Sequence, residues 1–374
     1  MTDRRDAAWS RSVGHVGTPE LSPIGDDARL GDLSEHAILE HILRPRYGGV
    51  RGFGDDCAVL DATEGLRGEL VATTDSCPTP LVTILGETDP YHAGWLLATI
   101  NLSDLAAAGA TPLGLVVNYT LPKTTTAGEF RRLLDGVDDC TKVHGTKVVG
   151  GDLRDGPVRQ LTATAIGRCV PGGRLGRAGA EAGDRLLLVG SPGYLWAYAL
   201  LVEKQARLPG PDVADIRERA CRPMAQVAAG RMLATAGLAR AAMDVSDGLF
   251  PTVRTLCGAN GLGARITTDI RLDDAPADVC AQSGLGPFEL AQAWGDWTLV
   301  VAVRPQDVEL AKKTLAGEGV AAQEIGSLVP GEEGISLDDG ELWEGIAQER
   351  FSPSSWHGGE VPKLITKVLG RRAG

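Results

Sequence analysis

Apolar residues recur along the chain with two periods, one typical of strands and one typical of helices. The predicted strands are 57–60, 69–74, 113–120, 147–152, 160–168, 185–190, 241–245, 264–267, 297–303 and 321–327. The predicted helices are 34–45, 90–108, 127–144, 194–203, 214–236, 249–257, 274–283, 287–293 and 305–317. Strands and helices are mixed in both halves, so we predict an α+β fold class with two mixed α/β domains rather than all-parallel sheets.

Two changes in composition divide the chain. Residues 1–32 are polar and rich in Gly, Pro, Ser and Asp, which predicts a disordered N-terminal extension. Residues 171–183 are rich in Gly, Arg and Ala, which is typical of a connection between domains. We therefore predict an N-terminal domain over 33–170 and a C-terminal domain over 171–374.

Aspartates stand within or directly after several of the apolar runs. They are Asp55 and Asp56 in GFGDDCAVL, Asp75 in TTDS, Asp104 in NLSDLAAAG, Asp152 in GGD, and Asp244 and Asp247 in DVSDGL. A carboxylate at the end of a buried strand is costly unless a positive charge neutralises it. Carboxylates together with phosphate oxygens are the usual ligands of Mg²⁺. The pattern predicts an enzyme that binds a nucleotide and magnesium. The sequence has no GxxxxGK[ST] phosphate loop, so the carboxylates and their metal ions would take the place of its lysine.

Composition narrows the class of protein further. The 374 residues are 43% hydrophobic and 23% charged, which are globular values, and the net charge is −12. We therefore expect no nucleic-acid partner and no membrane partner. No apolar run reaches the roughly 18 residues of a membrane span. The seven cysteines are scattered without a CxxC pair, which predicts reduced thiols in a cytoplasmic protein.

Six motifs occur in order and together resemble one family. They are GFGDDCAVL, TTDS, NLSDLAAAGATP, GGDLRDGP followed by TATAIG, GRAGAEAGD and MDVSDGL. Over about residues 33–357 the chain resembles thiamine-monophosphate kinase, within the superfamily of aminoimidazole-ribonucleotide synthetase. The resemblance implies ATP as the phosphate donor with Mg²⁺ as cofactor. It also implies a PurM-like homodimer in which the N-terminal sheets form a shared barrel.

The resemblance also implies roles for particular residues. Asp55, Asp75, Asp104, Asp152 and Asp247 correspond to the family's magnesium ligands, and Asp56 and Asp244 are further candidates beside them. Among these we assign Asp55, Asp104, Asp152 and Asp247 to catalysis. Gly150, Gly151, Asp152, Ser246 and Asp247 stand where the family approaches the nucleotide phosphates, and Arg177 corresponds to an arginine that contacts nucleotide phosphate. Arg177 is alternatively a solvated loop arginine.

Two segments depart from the family. Its V-E-G-V-H-F segment is replaced by residues 76–82, which contain neither glutamate nor histidine. Its G-G-E-D-Y-E-L segment is replaced by residues 293–299, which lose both glutamates and gain two tryptophans. We hypothesise that the acceptor has changed and that Trp294, Asp296 and Trp297 lie in or beside its pocket. Alternatively, the tryptophans simply pack the core.

Four functions follow from this pattern. The first is an ATP-dependent kinase with a changed small-molecule acceptor in a biosynthetic pathway, and the second is a true thiamine-monophosphate kinase. In the third, a transient phosphate activates an amide for cyclisation or dehydration. The fourth is a non-catalytic nucleotide-binding paralogue, for which loss of the metal ligands would be expected, whereas the sequence retains them.

Overall fold

A computed structural model describes residues 40–41, 44–47, 55–60, 68–331, 334–343, 365 and 368–369. The predicted extension over 1–32 and most of the predicted helix 34–45 lie outside the described residues. Within them, no helix is long and apolar enough to cross a membrane. All seven cysteines are free thiols.

The strands form two mixed sheets. They are β1 (Ala58–Leu60), β2 (Leu70–Ser76), β3 (Thr111–Leu121), β4 (Val148–Asp155), β5 (Gln160–Arg168), β6 (Arg185–Val189), β7 (Ala241–Asp244), β8 (Leu262–Ile266), β9 (Leu299–Val303), β10 (Ala322–Pro330) and β11 (Ile335–Leu337). The first sheet has the order β1-β2-β5-β3-β4 and the second β11-β8-β10-β6-β9-β7. Only β3–β4 and β8–β11 are parallel among the described pairs. The predicted mixed α/β class is confirmed.

The helices cover the two sheets and fill the space between them. They are α1 (Arg44–Tyr47), α2 (Leu81–Ile84), α3 (Pro90–Ala107), α4 (Ala127–Val143), α5 (Tyr194–Val202), α6 (Gly210–Cys221), α7 (Val227–Thr235), α8 (Leu249–Asn260), α9 (Asp274–Ser283), α10 (Pro287–Ala291) and α11 (Val308–Ala316). Helix α3 starts with Pro90 at a position where no backbone N–H is needed, and Asp89 caps it by accepting from the Tyr91 N–H at 3.0 Å.

Helix α3 is buried around almost its whole circumference. It packs against strands β2 and β5 of the first sheet, β7 of the second sheet, and helices α4 and α7. Two glycines allow backbones to meet directly. A methyl group at Gly136 would collide with the carbonyl oxygen of Tyr91, and one at Gly230 with the carbonyl oxygen of Ala106. The helix that carries Asp104 therefore links both halves of the chain.

The predicted helix 214–236 is wrong in its continuity. The structure ends α6 at Cys221 and begins α7 at Val227. Pro223 explains the break, because it has no N–H to donate and its ring disfavours helical geometry at Arg222, whose φ and ψ are −131° and 63°. The freed carbonyl of Pro223 accepts from the indole nitrogen of Trp95 at 2.9 Å. Short α2 and β11 were also missed by the periodicity.

Candidate active site

A cavity of about 710 Å³ lies where β2 and α3 face β7 and α8. Six of the seven predicted aspartates line it: Asp55, Asp56, Asp75, Asp104, Asp244 and Asp247. They come from both halves of the chain. Asp75 stands near the end of β2, Asp104 in the last turn of α3, and Asp244 at the end of β7. The strands and the long helix therefore assemble one acidic wall.

Three of these carboxylates form the centre of that wall. Asp56, Asp104 and Asp244 each offer one oxygen, and these atoms all lie within 4.8 Å of one another. Asp104 is 9% exposed and Asp244 is 3% exposed. Asp56 and Asp244 were only secondary candidates from the sequence, yet the structure groups them with Asp104. We call these three residues the aspartate cluster.

Burial and repulsion between carboxylates act on two members of the aspartate cluster, Asp104 and Asp244. Burial raises the pKa of Asp104 well above its ordinary value, and the charges of Asp244, Asp75 and Asp56 raise it further. Burial likewise raises the pKa of Asp244, with the charge of Asp56 adding to the effect. The Thr73 hydroxyl donates to Asp104 Oδ2 at 2.5 Å but brings no charge. Oxygen ligands of this number and type, crowded and buried, fit a hard divalent cation such as Mg²⁺.

One arginine contacts the aspartate cluster, and a second contacts the neighbouring Asp55. Arg177 Nη2 lies 2.6 Å from Asp56 Oδ1, so this predicted nucleotide-binding residue is a member of the site and not a solvated loop arginine. Arg174, which the sequence reasoning missed, lies 3.0 Å from Asp55 Oδ2 and is 6% exposed. Asp55 also accepts from the Arg177 backbone at 2.9 Å. Burial nevertheless raises the pKa of Asp55. Asp55 is thus tied to the loop that carries both arginines.

Asp75, Ser246 and Asp247 extend the acidic wall. The backbone N–H of Asp75 donates to Asn101 Oδ1 at 3.0 Å, which joins β2 to α3. Ser246 and Asp247 line the cavity in the turn between β7 and α8. Gly248, with φ of 102°, makes that turn possible. The turn that brings the DVSDGL motif to the cavity therefore depends on Gly248, because any residue with a side chain would be strained at this φ.

The segment with Gly150, Gly151 and Asp152 is not among the described residues that line the cavity. It belongs to β4, an edge strand whose residues after Val148 are exposed. Asp152 pairs in register with Asn118, which pairs with Thr162, which pairs with Ser76. Successive strand residues point to opposite faces, so Asp152 shares a face with Ser76 and not with Asp75. Asp152 is not among the described residues that line the cavity, and the roles assigned to this segment stay predictions.

The two tryptophans and the aspartate of the acceptor segment 293–299 have different surroundings. Trp294 and Trp297 line the cavity. The carboxylate of Asp296 instead accepts from the N–H of Gly193 at 2.6 Å and of Leu195 at 3.0 Å, at the start of α5. Burial raises the pKa of Asp296 to about 6 against these hydrogen bonds. Asp296 thus caps α5 beside the cavity, and its predicted role toward a substrate stays a prediction.

Other cavity residues carried no readable signal in the sequence. His92, Cys221 and Arg254 line the wall together with the replaced segment 76–82. Burial lowers the pKa of His92, which favours a neutral imidazole. Beside it, Glu87 accepts from Tyr198 Oη at 2.5 Å and from Arg217 Nε and Nη2 at 2.5 Å each. These contacts fix the chain after α2 on helices α5 and α6, and so hold the replaced segment in place.

Comparison with known proteins identifies relatives over most of the chain. Residues 54–169 match the family described as AIR synthase related protein, N-terminal domain, and residues 181–338 match its C-terminal domain. The chain is 32% identical to the thiamine-monophosphate kinase of Halobacterium salinarum over 309 residues, which cover 82% of this chain and 96% of that protein.

Two further relatives extend the comparison. The thiamine-monophosphate kinase of Synechococcus elongatus is 32% identical over 250 residues, covering 64% of this chain and 74% of that protein. Among solved structures, AaThiL complexed with AMPPCP and TMP has a TM-score of 0.74 at 23% identity, covering 87% of this chain and 100% of that chain. This structural likeness confirms the two-domain fold.

Proposed function

The chain belongs to the thiamine-monophosphate kinase family of AIR synthase related proteins and is an ATP-dependent kinase, and we propose that it uses Mg²⁺ and phosphorylates a small-molecule acceptor other than thiamine monophosphate. The observation that carries this proposal is the aspartate cluster, in which three carboxylate oxygens lie within 4.8 Å of one another on the wall of a cavity. The replaced acceptor segments line the same cavity.

The aspartate cluster supports the phosphate half of the reaction. Phosphoryl transfer depends mainly on positioning and on neutralising charge. Asp56, Asp104 and Asp244 would hold Mg²⁺, which supplies positive charge to the phosphate oxygens of the nucleotide. Asp75 and Asp247 flank them in the cavity and would complete the set of oxygen ligands. Arg177, 2.6 Å from Asp56, is placed beside this set and would meet a phosphate oxygen.

No side chain needs to act as a nucleophile. The oxygen of the acceptor attacks the terminal phosphorus of ATP, the bond to the bridging oxygen breaks, and ADP leaves with the electron pair of that bond. The residues of this chain orient the two substrates and exclude water from the deeper wall of the cavity. Burial of Asp104 and Asp244 strengthens their interaction with a cation, because the local dielectric constant is low.

The changed segments support the changed acceptor. Residues 76–82 bring Cys77 and two prolines to the cavity wall where the family pattern has a glutamate and a histidine. Residues 293–299 bring Trp294 and Trp297 to the same cavity. A site that loses polar groups and gains aromatic surface changes which molecules it binds more than how phosphate is transferred.

We also propose that two copies of this chain form a homodimer through the first sheet. Several apolar side chains on strands β3 and β4 of the first sheet are exposed: Leu113 is 45% exposed, Val116 39%, Val149 53% and Leu153 58%. An exposed apolar surface of this kind is typical of an interface with another copy. A shared barrel would cover it and would give the exposed strand β4, with Asp152, a defined environment.

The deciding experiment incubates the purified protein with Mg²⁺, ATP and thiamine monophosphate, and follows ADP and thiamine diphosphate together. We expect ATP to bind with no rapid formation of thiamine diphosphate. Rapid formation would show a true thiamine-monophosphate kinase that tolerates the altered segments. With other acceptors, an accumulating phosphorylated product supports a kinase. Release of ADP and phosphate with a dehydrated or cyclised product would instead support amide activation, and binding without any turnover a nucleotide-binding paralogue.

A further inference from the structure

A second group of potential metal ligands occurs in the described part of the chain, besides the aspartate cluster. Glu87, His92 and Cys221 each offer one ligand atom, and these atoms all lie within 4.8 Å of one another. His92 is 8% exposed and Cys221 is 3% exposed. Both line the cavity. We call these three residues the Glu-His-Cys group.

Regular elements hold the imidazole and the thiol of this group near each other. His92 stands in the first turn of α3, and Cys221 is the last residue of α6. The carbonyl of Pro223, just after α6, accepts from Trp95 Nε1 at 2.9 Å and from Thr99 Oγ1 at 3.0 Å, both on α3. The end of α6 is thus bonded directly to α3. A site built on packed helices in this way is preorganised for a ligand.

Hydrogen bonds orient the carboxylate of Glu87. Its Oε1 accepts from Tyr198 Oη and from Arg217 Nε at 2.5 Å each, and its Oε2 accepts from Arg217 Nη2 at 2.5 Å. Oε2 also lies 4.0 Å from His92 Nε2. A carboxylate oxygen has two lone pairs, so Oε2 keeps one for a cation. Outer hydrogen bonds of this kind orient the carboxylate ligands of metal sites.

The protonation states of the group are compatible with a metal ion. Burial lowers the pKa of His92, so the ring is neutral and offers a lone pair. The Nδ1 atom of His92 is buried and has no hydrogen-bond partner among the described residues. Burial raises the pKa of Cys221 to about 12, so the thiol keeps its proton until a metal ion displaces that proton into the solvent. A thiolate and Glu87 together carry two negative charges, against the single positive charge of Arg217.

We infer that Glu87, His92 and Cys221 form a second metal site, which takes a zinc-like divalent ion and leaves its fourth position open to the cavity. Thiolate and imidazole ligands favour such ions, whereas Mg²⁺ prefers oxygen. Zinc bonds of about 2.0–2.3 Å place tetrahedral ligand atoms about 3.3–3.8 Å apart. The 4.0 Å between His92 Nε2 and Glu87 Oε2 is close to this spacing.

The open position gives the site a chemical character. Three protein ligands and one exchangeable position are typical of catalytic zinc sites, whereas structural zinc sites have four protein ligands. The fourth position would take water, or an oxygen or nitrogen atom of a molecule in the cavity. The inference goes beyond the proposed kinase function, because the transfer of phosphate from ATP does not require this ion.

A cobalt titration of the full chain tests the site. The protein is stripped of metal with EDTA, dialysed into excess Mg²⁺ to occupy the oxygen ligands, and titrated with Co²⁺, which substitutes for zinc and absorbs visible light. The wild type should develop a thiolate-to-cobalt charge-transfer band and the d–d bands of four-coordinate cobalt, saturating at a single ion per chain. Zn²⁺ should remove both. Imidazole added to the cobalt form should shift the d–d bands, because the fourth position is exchangeable.

Single substitutions assign the ligands. Cys221→Ser should remove the charge-transfer band. His92→Asn should weaken Co²⁺ binding at least about tenfold, because loss of even an outer hydrogen-bond partner of a metal ligand has an effect of this size. The matched control is Cys77→Ser: the Cys77 thiol also lines the cavity, but it donates to the carbonyls of Pro78 at 3.2 Å and Ala93 at 3.6 Å. This control should keep the wild-type spectrum.

Several results would overturn the inference. Absence of both bands in the wild type contradicts the site, and an unchanged spectrum of Cys221→Ser places the ion elsewhere. Bands that imidazole does not shift contradict an open fourth position. X-ray absorption of the zinc-loaded wild type decides the case if a variant does not fold: one sulfur in the first shell supports the site, and a shell of nitrogen and oxygen alone contradicts it. Failure of AMPPCP and Mg²⁺ to bind would count against the proposed function and not against this site.

Discussion

The two walls of the cavity are built in opposite ways. The acidic wall takes its carboxylates from β2, α3 and β7, and from the turns next to regular elements of both sheets. The acceptor wall consists of residues 76–82 and 293–297, and the carboxylates of Glu87 and Asp296 bind the neighbouring chain to helices α5 and α6. The first wall concentrates carboxylates, and the second presents apolar surface with one aromatic residue, Trp297, in a left-handed backbone conformation.

The difference shows how one fold keeps its chemistry while its acceptor changes. Carboxylates on packed elements cannot move without disturbing the core. Segments between elements vary more in sequence among related proteins than the elements that they connect. Three substitutions and one series of pH and metal conditions test this contrast, beginning with the change expected to have the largest effect.

Asp104→Asn should abolish most turnover while leaving the fold intact. The amide has the same size but no charge, so a cation loses a ligand, and a decrease in kcat of about 100-fold to 1000-fold is expected. Without metal the same variant should be more stable than wild type at neutral pH, because one buried charge is removed. ADP formation and thermal unfolding in EDTA measure the two effects. The control is Asp135→Asn, which alters an exposed ion pair with Arg132; equal kinetics for Asp104→Asn and this control would contradict the cluster's role.

Trp294→Ala should have the opposite signature, with a large loss of stability and little effect on nucleotide binding. Truncating a buried tryptophan costs about 3 kcal/mol or more, since the cavity left behind adds to the lost contacts. The backbone acceptor for Trp196 Nε1 remains, so the damage comes from the ring alone. Chemical denaturation measures the loss, and the affinity for AMPPCP should match the wild type. A variant as stable as wild type would show that Trp294 does not belong to the core.

Asp296→Asn should reduce stability by an intermediate amount. An asparagine has one acceptor oxygen, so one of the two N–H groups at Gly193 and Leu195 loses its partner, at a cost of about 1–2 kcal/mol. Chemical denaturation at neutral pH provides the measurement. Asp278→Asn, a change at an exposed position of α9, is the control and should stay within about 0.5 kcal/mol of wild type. If both variants behave alike, the carboxylate of Asp296 does not cap α5.

The smallest effect concerns pH and metal. Burial raises the pKa of Asp104 and Asp244 above the ordinary value of 3.8, so the folded protein retains protons that the unfolded chain has released. The metal-free protein should therefore lose stability as pH rises above about 4. Mg²⁺ binds the ionised form, so its stabilising effect should grow with pH, by about 2–4 °C in melting temperature for each kcal/mol of linkage. Calorimetry in EDTA and in Mg²⁺ from pH 5 to pH 8 tests this. A metal effect that shrinks with rising pH would contradict the assignment.

Periodicity predicted regular elements well where the pattern was undisturbed. The predicted strand 160–168 and helix 274–283 coincide with β5 and α9. The helix predicted over 214–236 was wrong because its composition is uniformly helical on both sides of Pro223, and the break depends on one residue. Short β11 has too few residues for a period to be recognised.

The site was predictable as far as its chemistry depends on residue type. Motifs located the acidic wall, but only the fold could show that Asp56 and Asp244, rather than Asp55, form a cluster with Asp104. The cap at Asp296 depends on the placement of α5, a hundred residues earlier in the chain. The left-handed backbone of Trp297 leaves no trace in the sequence, because local pattern favours glycine or asparagine for such a conformation.

The glycine contacts of α3 have a mechanical consequence. Where Gly230 meets Ala106 and Gly136 meets Tyr91, backbone rests on backbone, and no side chain lies between them to change rotamer. The position of Asp104, two residues before Ala106, is therefore set by direct backbone contacts between helices and not by side chains that could change rotamer. Replacement of either glycine by alanine would displace the helix by the width of a methyl group. Because these backbone contacts fix the position of Asp104, the acceptor segments can change in sequence without moving the carboxylate that faces the phosphate.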